Sequence, residues 1–361
     1  MDPTADGPAG AEARPVRPAD LAAEEVAPGV HRLPLPIPFE VGPINVYAVL
    51  RGDEPILIDT GPKTDEAYRA LRGHLAKLGT CAGDLKHIIV THAHIDHHGN
   101  LKRLVDASDA KVHAHDADVG PIFDYQEHLD TRGQDLREVF RYWGFSPDAL
   151  SLVDKFVAKW RVYGDSVPRR TLFALDGDEA DLRLGGVLLR AIHCPGHTEG
   201  LCCFFLPDEG LLFSTDHILE TITPNPTVYT PPYRGRRTGL ADYLESLDRL
   251  RGLPVRRLLP GHGRTFEGLE PRIDQILAHH KDRTERIVAL LGPGRATILD
   301  LASRLFGDLP PSEVYLACRE VHGHLELLVE SGRVQAKDED GAAFFEAGVE
   351  PPAPAAPQAA A

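Results

Sequence analysis

The feature that most constrains this chain is the run Thr91-His92-Ala93-His94-Ile95-Asp96-His97-His98, which directly follows the strand-like segment His87-Ile88-Ile89-Val90. Three more loops share the design. Cys194-Pro195-Gly196-His197 follows the apolar run from Val187 to Ile192, Ser214-Thr215-Asp216-His217 follows Leu211-Leu212-Phe213, and Pro260-Gly261-His262-Gly263 follows Arg257-Leu258-Leu259. A chain that repeatedly closes a buried strand with a loop of Gly, His or Asp is an α/β protein presenting its chemistry along one sheet edge. Alternate residues of an extended loop share a face, so His92 and His94 point together, and Asp96 and His97 can turn toward a second point nearby. Neutral imidazoles and carboxylates are ligands that zinc, iron and manganese accept. A lone histidine is ordinarily a capped or surface residue, and one His-x-His pair is a weak signal. Four such loops predict a metal site. The glycines beside His197 and on both sides of His262 permit the tight turns that aim those rings inward.

The rest of the chain divides by texture. Residues 1–25, rich in Pro, Ala and acid, read as a disordered tail with nothing to bury, and 347–361 as a Pro/Ala tail. Residues 26–270 alternate short strands and helices, with strands at Val46–Leu50 and Ile56–Ile58 and a helix from Ala67 to Leu78. A helical insertion over about 120–168 carries Trp143 and Trp160 with seven other aromatics, either packed on the body or serving as a lid over a pocket. Residues 271–346 read as three helices and a hairpin, a winged-helix-like arrangement. Thr297 with Asp300 forms a helix-starting cap, Ser312 is expected to cap the third helix, and Asp340-Gly341 makes the hairpin turn.

Charge and cysteine usage exclude some functions. The net charge of −15 opposes wholesale binding to nucleic acid or an anionic membrane, and no apolar run approaches the roughly 18 residues of a span. Between Ile276 and Glu346 there are 8 Lys/Arg against 12 Asp/Glu, the wrong balance for a nucleic-acid-binding helix, so this segment reads as a packing or dimerisation module. Arg234, Arg236 and Arg237 stand out on so acidic a chain. They are either a solvated loop or guanidinium forks for a carboxylate or phosphate of the substrate. Five cysteines without scaffold spacing suit a reducing cytoplasm.

His-x-His-x-Asp-His with isolated downstream His, Asp and His resembles the metallo-β-lactamase superfamily, its glyoxalase II-like hydrolases in particular. The carboxy-terminal segment resembles the winged-helix extension of the LACTB2-like branch. The resemblance covers roughly Val26 to Leu269, including the Ile58-Asp59-Thr60-Gly61 turn. It implies an αββα sandwich with the site on one sheet edge. It also implies two divalent ions, zinc ahead of manganese or iron: His92, His94 and His197 around the first, Asp96, His97 and His262 around the second, and Asp216 bridging. Asp216 stands where antibiotic-hydrolysing members carry Cys, and His94 where the flavodiiron pattern carries Glu; both departures favour a binuclear hydrolase. Asp59 is expected either to orient a ligand or merely to cap its turn. His98, His113, His115, His193 and His217 are expected to be structural, and Cys194 to be packing.

The implied activity is hydrolysis of an ester, thioester or lactone of a small, anionic substrate by a metal-bridging hydroxide, with Asp96 orienting it. The competing readings are a LACTB2-like metal-dependent phosphodiesterase or endoribonuclease, a mononuclear iron dioxygenase, and a winged-helix regulator with a degenerate body. The last would have lost some of the seven ligands.

Overall fold

In the computed structural model, which describes residues 21–39, 41–229 and 239–348, two sheets pack face to face. The first has seven strands in the order β1 (Glu24–Ala27), β2 (Val30–Leu35), β3 (Ile44–Val49), β4 (Ile56–Ile58), β5 (His87–Ile89), β6 (Lys111–His115) and β7 (Leu172–Leu175). Its first four strands pair antiparallel and β4 to β7 pair parallel. The second sheet holds β8 (Glu179–Leu184), β9 (Val187–His193), β10 (Cys202–Leu206), β11 (Leu211–Thr215) and β12 (Arg257–Pro260), with only the β11–β12 pair parallel.

Period-2 alternation explains the layering. Tyr47, Val49, Ile56, Ile58 and Ile89 face inward and meet Leu189, Phe204, Phe213 and Leu259 of the second sheet in one core. The intervening Val46, Ala48, Leu57 and Ile88 face outward against α1 (Asp65–Lys77) and its neighbours. Cys202 and Cys203 likewise fall in the inner and outer cores. Helices therefore cover each outer face, giving the αββα sandwich. Thr64 caps α1 by accepting from the Ala67 amide (3.1 Å).

The remaining helices are α2 (Ile95–His98), α3 (Leu101–Ala107), α4 (Val119–Phe123), α5 (Tyr125–Tyr142), α6 (Ser151–Arg161), α7 (Gly239–Leu250), α8 (Leu269–Leu291), α9 (Ile298–Phe306) and α10 (Pro311–Glu330). The last three accompany a small sheet of β13 (Arg295–Ala296), β14 (Val334–Glu339) and β15 (Ala342–Ala347) in the order β13-β15-β14. Thr297 and Asp300 form the expected reciprocal capping box. Asp340 and Gly341 both take positive φ (55° and 86°), as a two-residue hairpin turn requires.

Three expectations need amendment. Glu24 and Glu25 pair with β2 rather than belonging to a tail, because the strand edge gives their backbone partners that composition cannot reveal. Pro310, not Ser312, is the cap of α10, and Pro311 at the first helical position starts the helix without needing a side-chain acceptor. The insertion is not simply a cover over the body. Leu136, Val139, Phe140, Trp143 and Val153 share one core with Ile287, Ile298, Tyr315, Val321 and Phe345 of the carboxy-terminal segment, and Trp143 Nε1 donates to His322 Nδ1 (2.6 Å). Residues 1–20 and 349–361, which include most of both expected tails, and Arg234, Arg236 and Arg237 lie outside the described residues.

Candidate metal centre

Each of the four His/Asp loops leaves its strand at the same end of the sandwich. The sheets are laced together there: the Asn45 amide donates to Gly261 O (2.7 Å), Asn45 Nδ2 and Tyr47 OH donate to Pro260 O (2.9 and 2.7 Å), and the Cys202 amide donates to Thr91 O (3.0 Å). The backbone is strained at two points beside the site. Asp59 and Thr215 adopt φ of 63° and 45°, which is costly for a β-branched threonine.

The structure brings all seven predicted ligands together. His92, His94, His197 and Asp216 each offer one ligand atom within 4.8 Å of the others, and so do Asp96, His97 and His262. Asp216 Oδ2 lies between the two groups, 3.9, 3.4, 3.6 and 3.7 Å from Nε2 of His92, His97, His197 and His262. Asp96 Oδ2 is 3.3 Å from His262 Nε2.

The outer ring nitrogens show how the rings are aimed. His97 Nδ1 donates to Asp59 Oδ2 (2.7 Å), His197 Nδ1 to Asn225 O (2.9 Å) and His262 Nδ1 to Pro43 O (3.2 Å). Thr91 gives its hydroxyl hydrogen to Asp59 Oδ2 (2.9 Å), so its oxygen accepts from His92 Nδ1 (3.1 Å). These four imidazoles thus direct Nδ1 outward and Nε2 inward, and Nε2 is bare whenever the ring is neutral. The Nε2 atoms of His92, His97 and His197, and Asp216 Oδ1, are buried without a hydrogen-bond partner. Buried orphans are costly, and several converging on one point are the donor set that a cation would satisfy. The residues present therefore fit divalent ions.

Electrostatics reinforce the picture. Burial pushes the Asp216 carboxyl up, but His97 and His262 outweigh it and hold it well below the usual carboxylate range. Burial opposes charge on His97 too, yet Asp216 and Asp59 raise it well above 6.5. His92 and His94 are held well below 6.5, first by burial and then by neighbouring imidazoles, so both are neutral. For Asp96, burial is outweighed by the His262 hydrogen bond and the His97 charge, which bring it to about 2.

The other histidines stay out of both groups. His113 pairs with His87 (3.0 Å), His115 stacks on His193, His98 packs on Tyr125, and His217 packs on Tyr243. Cys194 is buried in the outer core of the second sheet. Asp59 binds both His97 and the Thr91 amide (2.9 Å), a contact a mere turn cap would not make.

Sequence reasoning missed Asp118. Its Oδ2 accepts from the Ala93 amide (2.8 Å) and Thr198 Oγ1 (2.6 Å), and its Oδ1 from the Gly200 amide (2.9 Å), joining the first ligand loop to that of His197. Burial, only partly offset by these bonds, raises it to about 6. It also missed Arg319 of α10, whose Nε and Nη2 donate to Pro226 O beside the His197 loop and whose charge helps lower His94.

Comparison with known proteins agrees with this arrangement. The sequence model described as Metallo-beta-lactamase superfamily matches residues 39–262. The "Probable metallo-hydrolase YqjP" of Bacillus subtilis (strain 168) is 28% identical over 86% of this chain and 95% of its own. A "Beta-lactamase-like protein 2 homolog" of Caenorhabditis elegans is 26% identical over 83% of each. Among solved structures, the metallo-beta-lactamase family protein TTHA1429 from Thermus thermophilus is 30% identical and superposes with a TM-score of 0.78, over 89% of this chain and all of its own.

Proposed function

The chain belongs to the metallo-beta-lactamase superfamily, and we propose that within it the protein is a binuclear hydrolase acting on an ester, thioester or lactone of a small, anionic substrate. One observation carries the reading: Asp216 Oδ2 stands 3.4–3.9 Å from four imidazole Nε2 atoms drawn from both ligand groups. His92, His94 and His197 would hold one ion, Asp96, His97 and His262 the other, with Asp216 shared. Zinc is the first choice for imidazole and carboxylate donors, ahead of manganese or iron. Ions held there would lower the pKa of water toward about 7 and would polarise a carbonyl oxygen.

The protein's own groups do the rest. Asp59 and Thr91 accept from Nδ1 of His97 and His92, so each ring, once neutral, presents a free Nε2. Asp96, with its side chain 13% exposed, stays ionised at neutral pH, so its Oδ2 orients an attacking water by accepting a hydrogen rather than storing a proton. Arg234, Arg236 and Arg237 would receive the anionic part of the substrate.

The two separate ligand groups favour this reading over a one-iron dioxygenase. Against a nuclease, α10 is enclosed: Arg319, Glu320, His322, His324 and Glu326 are all buried, so it cannot lie in a nucleic-acid groove. The carboxy-terminal unit has three helices and a small sheet, and we read it as a winged-helix-like packing element that can also serve a homodimer. All five cysteines are free thiols, in keeping with a cytoplasmic setting, and among the described residues no helix is long and apolar enough to cross a membrane.

The test is a panel of thioesters, lactones, phosphodiesters and short RNA, assayed on chelated protein reloaded with zinc, manganese or iron. Turnover of an acyl substrate should vanish on chelation, return with metal, and be absent in Asp96→Ala and in the His92→Ala, His94→Ala protein. Full activity after chelation, oxygen consumption with turnover, or cleavage of RNA alone would overturn it.

A further inference from the structure

The carboxy-terminal helices hold a second gathering of the same residue types, unused by the chemistry above. His280 of α8, and Glu320 and His324 four apart on α10, each offer a ligand atom within 4.8 Å of the others. All three are buried, at 2%, 6% and 0% exposed.

Their spacing is informative. His280 Nδ1 is 3.3 Å from His324 Nε2, and His324 Nε2 is 3.4 Å from Glu320 Oε1. A tetrahedral ion with ligand bonds of about 2.0–2.1 Å sets its ligands about 3.3–3.4 Å apart. Ordinary N–H···O hydrogen bonds close to about 2.7–3.2 Å. The same edge lengths recur at the main centre, between Asp216 and His97 (3.4 Å) and between Asp96 and His262 (3.3 Å).

Hydrogen-bond logic also matches. Thr284 Oγ1 donates to His280 O (2.8 Å), so its oxygen accepts from His324 Nδ1 (2.9 Å), the relay Thr91 provides for His92. With Nδ1 donating to Thr284, a neutral His324 turns its Nε2 lone pair toward Glu320 Oε1, and a cation between them would satisfy both acceptors. His280 Nε2 has no partner, which allows its hydrogen to reside there and Nδ1 to join the group. Arg283 Nε (3.6 Å) and His279 Nε2 (3.8 Å) also approach Glu320 Oε1.

We propose that His280, Glu320 and His324 form a second cation site that takes one zinc-class divalent ion and clamps α8 to α10. Three protein ligands, one fewer than a closed structural zinc site has, set its affinity below that of the main centre.

The test uses the full chain, stripped with chelator and titrated with zinc alone, with ions counted by elemental analysis and melting followed in parallel. A His92→Asn, His97→Asn, Asp216→Asn protein, which lacks the main centre, should still bind one zinc per chain and melt higher with it. Binding none, with no melting shift, overturns the proposal. Glu320→Gln in the otherwise unaltered chain should bind one zinc fewer than the parent and keep its acyl-hydrolase turnover. An unchanged count overturns the proposal as well. Failure of the main-centre reading would show separately, as no loss of zinc in the triple variant.

Discussion

Arg319 gives both Nε and Nη2 to the carbonyl oxygen of Pro226, at 3.0 and 2.8 Å. The carbonyl one residue earlier, on Asn225, fixes His197, and the Thr227 amide donates to Gly196 O at 2.6 Å. A helix of the carboxy-terminal segment thus holds the loop that steers a candidate ligand of the catalytic body. Hydrogen bonds from a charged donor are worth about 1.5–3 kcal/mol. Arg319→Met, which keeps the stem, should therefore lower kcat/KM by about 10- to 100-fold, with weakened zinc binding and an intact fold by circular dichroism. Unchanged zinc affinity and kcat/KM would show that α10 does not support the site.

Gly261 needs no unusual backbone angle, so its role is spatial. A Cβ there would stand 2.3 Å from Asp216 Oδ1 and 2.9 Å from His97 Cε1. Overpacking of this kind costs about 1–3 kcal/mol. Gly261→Ala should fold, yet bind zinc at the main centre about 10-fold more weakly or worse, as read by competition with a chromogenic chelator. Parent-like affinity would mean that the Asp216 side chain has room to move.

The metal-free centre stores protons. Asp216 and Asp59 hold His97 well above 6.5, Asp216 and Asp96 raise His262, and an ion can bind only when both rings are neutral. For a raised histidine, the stability it contributes is fully present below its unfolded value and is lost as pH rises through the folded one. Metal affinity has the opposite trend and strengthens as pH rises through those values. Calorimetry at pH 7 in buffers of different ionisation heat should find about one to two protons released per chain as the centre fills. No release would mean that the imidazoles are already neutral.

The sandwich and the ligand loops were legible because both are written locally. Strand periodicity fixed which residues face the core, and each ligand lies within a few residues of a strand end. The supporting carboxylates and the guanidinium were not. Asp118 meets Ala93, Thr198 and Gly200 across 25 to 82 positions, with no local pattern to mark it. Asp59 could be read only as either a turn cap or a ligand orienter until His97 Nδ1 was found against it. Counting charges on the last long helix treated Arg319, Glu320 and Glu326 as surface groups, whereas all three are buried with partners inside the protein. The acidic balance concealed what those residues touch.

The aromatic core joining Trp143 and Phe140 to Tyr315 and Ile298 has a consequence for how such a chain can diverge. Deleting either the insertion or the terminal helices would leave an oily wound on the other. The two segments should therefore be inherited as a pair, and a homologue lacking one would need polar replacements across the surface it once covered.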